Sequence, residues 1–98
     1  MPDYDWLPHP AFTEREGHAA CVVLSVLSEV TSEDAIVPSS FERHLTQLAL
    51  HCDDRNLGVL VNAFGPVADA VWIYKNQPGG LEILRQRSQL WRGGSWGF

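Results

Sequence analysis

Apolar side chains recur along this chain with two different rhythms, helical at its two ends and strand-like between. Ahead of them stands a proline-punctuated arm. Pro2, Pro8 and Pro10 remove backbone donors and hold their neighbours extended, so residues 1–12 read as an extended arm that also carries Tyr4, Trp6, Leu7 and Phe12. Residues 13–98 read as a single globular domain. Thr13 and Glu16 stand three apart at its start, the pattern of a capping box in which each side chain serves the other's backbone amide. A helix is predicted from that point. Ala20, Val23, Leu24, Leu27 and Val30 follow at helical spacing, and Ala19, Val22 and Val26 widen the apolar stripe. So wide a stripe marks either a central helix covered on all sides or a helix that keeps one flank, with Val22, Val26 and Val30, for a partner.

Ser39 and Glu42 repeat the capping-box pattern and predict a second helix. It places Phe41, Leu45, Leu48, Ala49 and Cys52 on one face. Asp53 and Asp54 would oppose the negative end of its dipole, so it is expected to stop within a residue or two of Cys52. There the rhythm changes. Residues 57–64 and 67–74 are rich in branched and aromatic side chains and are separated by Gly65-Pro66, which reads as a β-hairpin. A two-stranded ribbon alone is marginal in water, so the hairpin is expected to pack on the helices or to extend its sheet across a dimer. Residues 76–80 read as a loop. Leu81, Leu84, Ser88 and Trp91, with Ile83 and Leu90 beside them, predict a last short helix that ends at Gly93-Gly94. The predicted class is therefore α+β, ordered helix, helix, β-hairpin, helix.

Composition narrows the range of functions. A chain of 98 residues has a thin core, and with 45% apolar and 19% charged residues it folds rather than staying disordered. The longest apolar run, Ala19 to Leu27, is broken by Ser25 and falls short of the roughly 20 residues that cross a bilayer. Asp3 and Asp5 stand where a secretory signal carries basic residues. A cytoplasmic protein is expected, with Cys21 and Cys52 as reduced core thiols. The net charge of −5 is unevenly placed: ten of the twelve acidic residues lie in residues 1–54, whereas five of the seven basic residues lie beyond. Overall acidity argues against direct nucleic-acid binding and favours a protein partner of complementary field.

No catalytic set assembles from the sequence. His18, Cys21, His51 and Cys52 could in principle form a zinc site, but adjacent residues on a helix point about 100° apart, so His51 and Cys52 do not converge on one ion. No metal and no cofactor are expected. The carboxylates read as solvated helix faces. What stands out is the end of the chain, where Trp91, Trp96 and Phe98 alternate with glycines beside Arg92. Trp and Arg are among the residue types that dominate binding hot spots, and with Trp6 and the Val22, Val26, Val30 flank these rings make up the expected partner-binding patch.

Two families share features with the chain. Gly65-Pro66-Val67-Ala68 followed by Trp72, then Trp91-x-Gly-Gly-x-Trp96, resembles a strand and a terminal segment of the lysine acyltransferases that activate RTX toxins. The likeness covers the last third of a chain much shorter than those enzymes. It implies a reduced acyltransferase-like scaffold, in which an active enzyme would use His9 or His18 as general base. In size, acidity and helical front half, over Ala11 to Phe98, the chain also resembles the small Pseudomonas antiactivators of the QslA type, which block the LasR quorum-sensing receptor. That resemblance implies a non-catalytic regulator that binds a LuxR-type transcription activator and blocks its dimerisation. The leading expectation is such a binding protein, cytoplasmic and homodimeric.

Overall fold

The computed structural model describes residues 13–28 and 36–93. Both capping boxes form. The Thr13 hydroxyl accepts from the Glu16 amide at 3.1 Å while Glu16 Oε1 accepts from the Thr13 amide at 2.8 Å, and Ser39 and Glu42 do the same at 3.1 and 2.9 Å. These contacts open helix α1, Glu14–Leu27, and helix α2, Ser40–His51. Helix α2 stops one residue before Cys52, within the expected range.

The segment expected to form a hairpin is instead two helices. Helix α3 spans Asp54–Phe64 and helix α4 spans Pro66–Asn76, and among the described residues there is no strand. The α+β expectation, and with it a sheet shared across a dimer, is overturned. Burial along α3 gives the reason. A strand would place Leu57 and Val59 on one face, yet Leu57 is fully buried and Val59 is 60% exposed. Leu57, Leu60 and Val61 follow the i, i+3, i+4 spacing of a helix and all pack on the core. Branched side chains lower helix propensity only by tenths of a kcal/mol, less than the burial of this face returns. Asp53 is not a misplaced charge at the end of α2. It is the N-cap of α3, its Oδ1 accepting from the Asn56 amide at 2.8 Å. Gly65, at φ 70°, ends α3, and Pro66 opens α4 at its first turn, where a missing amide does no harm.

Helix α5 spans Gly80–Arg92 and closes at Gly93, as expected. Helix α4 packs against all four other helices, whereas α1 packs against α2, α4 and α5. The core joins Ala19, Ala20, Val23 and Leu24 of α1 with Ala49, Leu57, Ala70, Val71, Ile73 and Leu84 from the other four. Small residues allow close approach at two crossings. A Cβ on Gly17 would stand 2.6 Å from Trp91 Cβ, and one on Gly80 would strike the Ile73 carbonyl oxygen. Lys75 of α4 reaches the C-terminal end of α2, its Nζ donating to the carbonyls of Cys52 at 2.9 Å and Ala49 at 3.3 Å. A cation is favoured there, where the free carbonyls of a helix point. Among the described residues no helix is long and apolar enough to cross a membrane.

Candidate functional site

The N-terminal halves of α1 and α2, the start of α4 and the last turn of α3 border one cleft of about 410 Å3. Its walls are Glu14, Arg15, His18 and Ala19 from α1, Phe41, Glu42 and Leu45 from α2, Phe64 from α3, and Pro66 and Val67 from α4. Phe41 and Phe64 meet edge to face, with centroids 5.5 Å apart and planes at 64°. They retain 58% and 45% of their surface exposed. Sequence spacing places Phe41 and Leu48 on one face of α2 with Leu45, Ala49 and Cys52, and Thr46 off it. The buried side is centred on Leu45, Thr46 and Ala49, with the Thr46 hydroxyl donating to the Glu42 carbonyl at 2.8 Å. Phe41 and Leu48 lie off that side, and both are exposed.

Polar groups around the rings are held by the fold itself. Glu42 Oε1 is engaged by the Ser39 amide, which leaves Oε2 3.9 Å from His18 Nδ1. The His18 ring stands edge-on to Trp91, with centroids 5.5 Å apart. The Trp91 indole N–H donates to Glu14 Oε2 at 3.3 Å. Two carboxylates, an imidazole and a guanidinium thus surround an apolar floor. Among the described residues that line this cleft none carries a hydroxyl or thiol side chain; those that line it offer acid–base groups.

The residues singled out from sequence have separate fates. Val22 has no exposed surface, because α1 is packed on by three helices; its place in a partner-binding flank is corrected to the interior. Val26 is half-buried, as is Trp91, which lies against Gly17 and does part of its work inside the fold. Trp6, Val30, Trp96 and Phe98 lie outside the described residues, as do the arm of residues 1–12 and His9. Phe41 and Phe64 were missed as site residues. Phe64 was hidden by the strand reading, and only the break at Gly65-Pro66 marked it as an element end.

The cysteines and histidines weighed as metal ligands turn to other partners. Cys21 Sγ lies 3.0 Å from Ser88 Oγ in the interior, Cys52 Sγ 3.5 Å from the Ala49 carbonyl, and His51 Nδ1 2.8 Å from the Gln47 carbonyl. Among the described residues no group of three His, Cys, Asp or Glu side chains is placed to hold a metal ion. No protein-family model matches the chain, and no curated protein or solved structure matches it either.

Proposed function

We propose that this chain is a non-catalytic regulatory protein that acts by covering an apolar surface of a protein partner, with the Phe41–Phe64 cleft as its contact site. The observation that carries the reading is the exposed aromatic pair: two phenylalanines, 58% and 45% open to solvent, beside a cleft whose Glu14 and Glu42 carboxylates already accept hydrogen bonds within the fold. A single aromatic side chain can bury 150–250 Å2 on contact, and a fold that retains two such rings at its surface keeps that burial for another molecule. Preformed walls reduce the ordering lost on binding. The resemblance to QslA-type antiactivators supplies the class of partner, a LuxR-type transcription activator whose dimerisation is blocked. The regulator itself works as a homodimer in the cytoplasm.

Light scattering on a purified activator ligand-binding domain, with and without this chain, tests the reading. The proposal requires the activator dimer to give way to a mixed complex. An activator that stays dimeric at saturating regulator concentration contradicts it.

A second reading, a reduced acyltransferase-like enzyme, has one observation in its favour: His18 lines the cleft, with its Nδ1 3.9 Å from the Glu42 carboxylate, so a histidine and a carboxylate stand together there. Acyl transfer to a lysine that is lost in His18→Ala would establish it. Absence of transfer by the wild-type chain would dismiss it.

A further inference from the structure

A second groove, which shares none of the described lining residues with the first, runs between α3 and α4 with a volume of about 380 Å3. Gly58, Val61 and Asn62 line it from α3, and Asp69 and Trp72 from α4. Gly58 is the unexpected member. It sits inside a helix, where glycine is less favourable than alanine, its φ is not left-handed, and a Cβ built on it would meet nothing within 4 Å. Neither backbone geometry nor close packing calls for glycine at this position. What glycine does leave there is room in the groove that Trp72 shares.

The electrostatics select the guest. Asp69 brings a carboxyl group to the wall of the groove beside the Trp72 indole; burial raises it above its usual range, Arg87 pulls it down and Glu16 adds to the rise. An indole face attracts cations more strongly than any other side-chain ring. Among biological cations the guanidinium is the one that both stacks on an aromatic plane and donates several in-plane N–H bonds. An amide oxygen, as on Asn62, is a second acceptor for such a group. We propose that the α3–α4 groove receives an arginine side chain from a polypeptide partner, stacked on Trp72, donating to the Asp69 carboxylate and within reach of Asn62, with Gly58 keeping the space open.

The test is an NMR titration of the full-length, 15N-labelled chain with N-acetyl-arginine N-methylamide, following the Trp72 indole and Asn62 side-chain amide resonances. The citrulline counterpart, a neutral isostere, is titrated in parallel. The proposal requires saturable shifts with the arginine probe, and affinity for citrulline about tenfold weaker, as loss of a cation–π contact and an ion pair implies. Gly58→Leu fills the groove from a position that faces open space and should abolish the shifts while resonances elsewhere stay in place. Asp69→Asn should weaken the arginine probe alone. Absence of saturable shifts, equal response to citrulline, or a response unchanged in a folded Gly58→Leu chain each overturns the assignment.

Discussion

Alanine at Gly80 and alanine at Gly58 should move stability in opposite directions. Gly80 is buried at the first turn of α5, and its Cβ would strike the Ile73 carbonyl oxygen and stand 2.9 Å from the Ile73 carbonyl carbon and Tyr74 Cα. All three are backbone atoms of α4, the helix that every other helix packs on, so relief requires α4 and α5 to separate. Overpacking of this kind costs about 1–3 kcal/mol, and an obstacle made of backbone belongs at the upper end. Alanine returns at most about 1 kcal/mol of helix propensity, less at a helix start. The expected net loss for Gly80→Ala is about 2 kcal/mol, a large share of the roughly 5–15 kcal/mol of a typical domain. Gly58 meets nothing within 4 Å, so Gly58→Ala should gain about 0.5–1 kcal/mol from propensity alone. Urea denaturation followed by far-ultraviolet circular dichroism, with an unchanged m-value, measures both. In a hairpin architecture residue 80 would sit in a loop and tolerate alanine. A Gly80→Ala chain as stable as wild type, or a Gly58→Ala chain less stable, would refute the helical packing described above.

Three further substitutions probe how the elements are joined and charged. Asp53→Ala removes the 2.8 Å cap on the Asn56 amide and should lower stability by about 1 kcal/mol in a urea melt; no change would argue that α3 does not start there. Lys75→Met removes two hydrogen bonds to the carbonyl end of α2, with an expected loss of about 1–2 kcal/mol. Faster amide exchange confined to the last turn of α2 would accompany that loss, and unaltered exchange there would contradict the contact. Asp69 has a raised folded-state pKa caused chiefly by burial, so the native state takes up its proton more readily than the unfolded chain. The resulting stability is fully present below the ordinary carboxyl pKa near 3.8 and is lost as pH rises through the folded value. Asp69→Asn should therefore be at least as stable as wild type at pH 7 and lose that advantage in acid. A variant less stable at pH 7, and recovering in acid, would reverse the assigned cause.

The two ends of the fold were legible because their signals are local. Thr13 with Glu16 and Ser39 with Glu42 are reciprocal contacts within one turn, and each opened a helix where the side chains allowed it. Gly93 closed the last helix for the same kind of reason. The middle was not legible from local preference. Val59, Val61, Val67, Val71 and Ile73 favour strands in isolation, but Leu57, Leu60 and Val61 carry the helical period, and burial decides between them: α3 packs on α2 and α4, and α4 on all four other helices. Asp53 shows how one error leads to the next: read as the end of α2 it is unfavourable, and read as the start of α3 it is a cap. Among the site residues, Val22 was read as a partner-facing flank because stripe width alone does not say how many helices will cover it. Phe41 shares a helix face with Leu45 by its i, i+4 spacing, but that spacing does not reveal where along the face burial ends.

The most direct measurement of the central claim is calorimetric titration of the wild-type chain and Phe64→Ala into a LuxR-type activator ligand-binding domain, with urea stability recorded for both. Phe64 keeps nearly half its surface open in the free chain, so truncation should weaken binding by about 2 kcal/mol, close to thirtyfold in Kd, with a much smaller loss of stability. Wild-type and Phe64→Ala chains that bind alike, or a variant whose lost affinity is matched by lost folding, would contradict the claim that this ring is held out for a partner.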